Sequence, residues 1–150
     1  MEHVWDKIVK AVSAAAGAVI GFFSGMPPLV IVLLGVMCLD YVTGLICGAM
    51  GKSTKTEHGK LSSKAAFDGL KKKAVILLVV LLAVLIDYTV TVGAGVDFAA
   101  VTGATCLWFI ASEGLSILEN AAALGVKIPA VLRRALEIMQ DKGNVDAPPQ

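Results

Sequence analysis

Between Lys10 and Asp40 the chain carries no charged residue, and Pro27 and Pro28 fall inside that run. Proline removes a backbone donor and clashes with the preceding turn, so the run divides into two helices joined by a tight turn. The pattern predicts a first helix over residues 5–25 and a second over 29–50. The first is rich in Ala and Gly with few large apolar side chains, so its insertion into a bilayer is marginal. In the second, about ten strongly apolar residues at roughly −0.3 to −0.6 kcal/mol each outweigh one Asp at roughly +3 kcal/mol. Residues 51–73 then hold seven lysines against Glu57 and Asp68. A third apolar segment covers 74–92, and the link VGAGVD leads to a fourth over 98–118. Residues 128–139 form a short amphipathic helix, with Pro129 suited to its first turn. Ile128, Leu132, Ala135, Leu136 and Met139 share one face; Arg133, Arg134, Glu137 and Gln140 take the other.

Composition turns these segments into membrane spans. The 150 residues are 57% hydrophobic and 17% charged, with a mean hydropathy of +0.79, which is too apolar for a water-soluble domain. A bilayer core of about 30 Å takes roughly 20 apolar residues as a helix, and no ten-residue alternating strands recur to close a barrel. The expected fold is an all-α membrane protein with three to four transmembrane helices in two hairpins, plus a short C-terminal amphipathic helix. Four spans are favoured; if the first helix lies at the surface, three remain. The units are an N-terminal helix over 1–25, a transmembrane core over 26–118, an amphipathic segment over 119–142 and a disordered tail over 143–150. By the positive-inside rule the lysine-rich loop 51–73 and the C-terminus face the cytoplasm. Lys64, Lys71, Lys72, Lys73, Arg133 and Arg134 are the residues expected to set topology and touch lipid. The amphipathic helix fits either the inner leaflet or a sister subunit. The N-terminus does not suit a signal peptide, because Glu2 and Asp6 balance Lys7 and Lys10.

Polar residues inside the apolar segments supply the candidate site. Asp40, Thr43, Gly44, Cys47 and Gly48 follow spacings of three and four, forming one stripe of small and polar side chains along the second helix. Gly44 and Gly48 make a GxxxG pair that lets another backbone approach closely, and Gly17, Gly21 and Gly25 repeat the device in the first helix. The fourth segment presents Thr102, Thr105, Ser112, Glu113 and Ser116 on one side, together with Cys106, Phe109 and Asn120, and the third contributes Asp87 and Thr91. This reading puts Asp87 toward the outer face, Asp40 near the centre and Glu113 toward the inner face, with no Lys or Arg inside any span to pair with them. Ionisable groups at that depth face a bundle interior or a water-filled path. They either line a pore or wet interface, or only pack helices through hydrogen bonds.

Enzyme chemistry finds little support. His3 and His58 are isolated and give no metal-ligand spacing, and no GxSxG or phosphate-cradling glycine loop occurs. Cys38, Cys47 and Cys106 form no CxxC and fit as packing residues. The lysine-rich loop lacks interleaved aromatics, so topology and anionic lipid explain it better than nucleic acid. No catalytic residue, metal or cofactor is expected.

Three stretches, LDYVTGLICGAMGK, LSSKAAFDGLKKKAVILLVVLLAVLID and SEGLSILENAAALGVKIPAVLRRALE, resemble the phage holin family that includes the toxin secretion/phage lysis holins of clostridia and related Gram-positive bacteria. The similarity runs over residues 29–137. It rests on the order and spacing of Asp40 to Gly44, Ser62-Ser63-Lys64 with Gly69 and Lys71 to Lys73, Asp87, and Glu119-Asn120 with Gly125 and Pro129. The resemblance implies a protein that oligomerises in the cytoplasmic membrane and opens lesions at a set time, releasing an endolysin or, in some relatives, a large toxin. Its implied partners are lipid, further copies of itself, that cargo and an antiholin. A small cation or proton channel or transporter subunit, and a non-lytic antiholin or scaffold, are the alternatives.

Overall fold

The computed structural model describes residues 5–10, 13, 14, 17, 21, 24–56 and 59–143. Among the described residues from Pro28 onward, four helices follow one another: α1, Pro28–Ala49; α2, Ser63–Ala94; α3, Ala100–Ala123; and α4, Ala130–Gly143. No strand occurs among the described residues. Three of the helices, α1 to α3, are long and apolar enough to cross a membrane. Of the expected first span, residues 5–10 are helical, and the rest lies largely outside the described residues. A side chain added at Gly17, Gly21 or Gly25 would meet nothing within 4 Å, so those glycines approach no described part of the chain.

Pro28 opens α1, where its missing N–H belongs to the first turn and costs no helical bond. The helix closes as Lys52 N–H reaches back to the Cys47 carbonyl at 2.8 Å. Helix α2 begins eleven residues before its predicted start, capped by Ser62, whose Oγ accepts from Ala65 N–H at 3.5 Å. At 32 residues it is about 48 Å long, well beyond the hydrocarbon thickness. The lysine-rich segment is thus helical from Ser63 onward, because apolarity marks where a helix enters the bilayer and not where it starts. Gly95 ends α2 in the left-handed region at φ 66° and gives the sharp turn into α3.

Helix α3 is central and packs on the other three, while α1 and α2 touch each other only slightly. Leu33 and Met37 of α1, Ile76 and Val80 of α2, and Cys106 and Ile110 of α3 form the buried apolar core. Outside it the surface is oily, with Leu78, Leu81, Leu82 and Leu85 of α2 all exposed. An apolar patch of that extent belongs against lipid or another protein. Helix α4 does not project away. Leu136 sits over Gly114, with side-chain carbons 3.0–3.6 Å from where a Cβ would stand, and Met139 packs on the core. The amphipathic face expected to meet a leaflet or a sister subunit is used, in part, against the chain's own third helix.

Candidate functional site

The buried face of α2 reads Lys73, Ile76, Val80, Ala83 and Asp87, spacings of three and four that put all five on one side of the helix. Its two ends are polar, about 21 Å apart at 1.5 Å per residue. At each end a charged side chain organises its neighbours.

At the first end the Lys73 ammonium lies between two carboxylates. It donates to Asp40 Oδ2 of α1 at 2.8 Å and to Glu113 Oε2 of α3. Asp40, Lys73 and Glu113 are 7%, 9% and 2% exposed, so the cluster is withdrawn from solvent. Asn120 Nδ2 donates to Asp40 Oδ1 at 3.3 Å and to Thr43 Oγ1 at 3.1 Å; the Thr43 hydroxyl donates to the Asp40 carbonyl at 3.1 Å. Cys47 Sγ donates to the Asn120 carbonyl at 3.2 Å. From the loop, Lys55 Nζ donates to Ser116 Oγ at 3.0 Å and stands 3.9 Å from Asp40 Oδ1. Two carboxylates therefore face two ammonium groups, and among the described residues no buried side-chain polar atom lacks a partner. A satisfied network of this kind ties α1, α2, α3 and the loop into one arrangement. Breaking one member leaves an uncompensated charge, which costs about 3–5 kcal/mol.

Two expectations are corrected here. The carboxylates do have a basic partner: Lys73, assigned from sequence to topology and lipid, is buried between Asp40 and Glu113 because α2 continues through it as helix. Asp40 and Glu113 also stand at one depth, since both reach the same ammonium. Each falls about 18–20 Å from the start of its own helix, and α1 and α3 run in the same direction.

At the other end Asp87 accepts from Val101 N–H at 3.1 Å and from Thr102 N–H at 2.7 Å. These are orphan donors of the first turn of α3, whose own Ala99 gives no side-chain cap. A carboxylate there also complements the helix dipole. The Thr91 hydroxyl accepts from Phe98 N–H at 3.2 Å and donates to the Phe98 carbonyl at 3.3 Å, fixing the same turn.

The remaining stripe residues turn inward on the chain itself. A side chain at Gly44 would stand 3.7 Å from Asn120, and one at Gly48 would press on Leu61 at 3.1 Å. Cys47 and Thr102 are buried, while Thr105, Ser112 and Ser116 are half-buried on α3. Within a single chain the Gly44/Gly48 face is thus already covered. Lys64, Lys72, Arg133 and Arg134 are exposed. Lys71 is exposed too, 3.1 Å from Asp68 and over the Phe67 ring. Cys38, expected to pack, is exposed; Cys47 and Cys106 are buried. Sequence reasoning missed Lys55 and the Lys73 pairing, although the three-four spacing from Lys73 to Asp87 carries the signal for the latter. Among the described residues no three His, Cys, Asp or Glu side chains gather as a metal site.

The bacteriophage holin family matches residues 17–141. A protein named probable holin from Bacillus phage phi105 is 38% identical over 102 residues, 68% of this chain and 67% of that protein. An uncharacterized protein of Clostridium perfringens strain 13 is 39% identical over 116 residues, 77% of this chain and 78% of its own length. One from Listeria monocytogenes is 32% identical over 142 residues, covering 94% and 93% respectively. No solved structure matches the chain. With three membrane-length helices and a match over most of its length, this multi-pass membrane protein belongs to the bacteriophage holin family.

Proposed function

We propose that the chain acts as a holin: copies accumulate in the host cytoplasmic membrane, associate laterally, and rearrange into lesions through which a phage endolysin reaches the cell wall. The observation that carries this reading is the satisfied ion cluster of Asp40, Lys73 and Glu113 inside a unit whose outside is apolar. In the closed subunit these charges are spent on one another, so the protein can build up in the membrane without leaking. A lesion needs polar lining, and the same residues, with Thr43, Ser116 and Asn120, supply it once the helices part. The seam between α1 and α2 is the natural place, because contact there is slight and Lys73 with Asp40 bridges it. Release of a large toxin instead of an endolysin uses the same lesion.

The test is inducible expression in a bacterium that carries a cytosolic, signal-less endolysin, with culture density and membrane potential followed together. Abrupt depolarisation, and lysis only when both proteins are present, is the expected outcome. Continued growth with a steady potential, despite confirmed membrane insertion, would overturn the holin reading in favour of a non-lytic antiholin. A regulated, harmless ion flux would point to a channel.

A further inference from the structure

A cavity of about 870 Å³ opens directly above the ion cluster, between the end of α1, the loop after it and the first turns of α2. Asp40, Lys73 and Glu113 form its floor; Lys55, Lys60, Lys64 and Lys72 stand around it. The charges divide cleanly. Lys73 and Lys55 are engaged with the floor carboxylates, and Asp68, also on the wall, pairs with Lys71. Among the described residues Lys60, Lys64 and Lys72 make no salt bridge. Three uncommitted cations therefore border one concave space, of a volume that suits a small organic ligand. Its depth is equally telling: Lys72 is followed at helical spacing by exposed Val75 and Val79 on the same side of α2, where the apolar run begins. Tyr41 and Leu45 of α1 line the opposite wall.

We propose that this cavity binds the phosphate of an anionic membrane lipid, with Lys60, Lys64 and Lys72 around the headgroup and the acyl chains passing down over Val75 and Val79. Positive charge above a continuous apolar strip matches an amphiphile. A soluble phosphate would use the lysines and leave the strip idle. Basic pockets between spans at the membrane surface take anionic headgroups on this principle, each lysine near the surface contributing about a fivefold gain in binding. This inference does not depend on lesion formation.

The experiment titrates the purified full chain, in neutral detergent, with a fluorescent phosphatidylglycerol. The comparisons are phosphatidylcholine, competition by glycerol phosphate, a Lys60→Gln/Lys64→Gln/Lys72→Gln variant, and a control with Lys7→Gln, Lys127→Gln and Lys142→Gln, none of which lines the cavity. Helical circular dichroism and elution volume check folding, and single Lys64→Gln, expected to lose about fivefold, serves if the triple variant misfolds. The proposal requires phosphatidylglycerol to bind at least about tenfold tighter than phosphatidylcholine. It also requires a loss of order a hundredfold in the cavity variant and a change within about twofold in the control. Equal binding by the cavity variant, or an equal loss in the control, overturns it. Displacement by glycerol phosphate at matched concentration overturns the lipid assignment and makes a soluble phosphate the ligand.

Discussion

Lys73 has to offset two carboxylates at once, and that makes its replacement costly. Its ammonium is buried against Asp40 and Glu113, whereas Lys55 is half exposed and 3.9 Å away, a separation and setting worth well under about 1 kcal/mol. Lys73→Met therefore leaves two buried carboxylates with a single weak counter-charge, and the expected loss is about 3–5 kcal/mol of stability. Adding Asp40→Asn and Glu113→Gln to that variant removes the stranded charges while keeping hydrogen-bonding groups, and should restore most of the loss. Unfolding of the purified protein in mixed micelles of dodecyl maltoside and dodecyl sulfate reads both numbers. A Lys73→Met protein as stable as the parent, or a triple variant as weak as the single one, would contradict the ion cluster.

Among the elements, α4 is the shortest, and it packs mainly on one neighbour, α3. It has 14 residues, close to the length at which an isolated helix is marginal in water, so docking on α3 keeps it folded. That docking turns on Gly114, since a Cβ there would come within 3.0–3.1 Å of the Leu136 methyls. Gly114→Ala asks only for a small rotation of a flexible side chain, while Gly114→Phe displaces the helix. Trypsin cleavage at Arg133 and Arg134, measured on folded protein in detergent, should quicken by about tenfold or more in the Phe variant and by no more than about twofold in the Ala variant. An unchanged rate in Gly114→Phe would place α4 elsewhere. The contrast between α4 and the spans shows what the sequence discloses. Apolar runs broken at Pro28 and Gly95 mark α1, α3 and the bilayer part of α2, because hydrocarbon demands them. They do not mark the start of α2 at Ser63, because a helix leaving the membrane can turn polar without ending. Amphipathy shows that one face of α4 is covered but not by what. The capping of α3 by Asp87 joins residues fourteen and fifteen apart, beyond the few residues over which local capping signals operate.

For the whole molecule, the pairing of α2 and α3 as an antiparallel hairpin puts the lysine-rich loop and the C-terminal helix on the same side of the membrane, whichever side that is. The charge bias of the segments flanking α2 and α3 then falls one way. The loop brings Lys52, Lys55, Lys60 and Lys64 and the C-terminal segment adds Lys127, Arg133, Arg134 and Lys142, whereas the α2–α3 turn over residues 95–99 carries Asp97 and no cation. Positive residues close to span ends are retained in the cytoplasm, so the turn should be external and both basic segments internal. Orientation also sets which leaflet the basic cavity samples and from which side an endolysin would meet the opened cluster. A cysteine-free parent carrying a single cysteine at Val96, Ser53 or Lys127 separates the cases through labelling by a membrane-impermeant maleimide in intact cells, before any depolarisation. Labelling is expected at Val96 alone, with Ser53 and Lys127 reacting only after the membrane is permeabilised. Reaction at Ser53 and Lys127 but not Val96 would reverse the orientation. Reaction at Ser53 and Val96 alike in intact cells would mean that α2 does not cross, and the hairpin, the shared side and the closed-subunit mechanism would fall together.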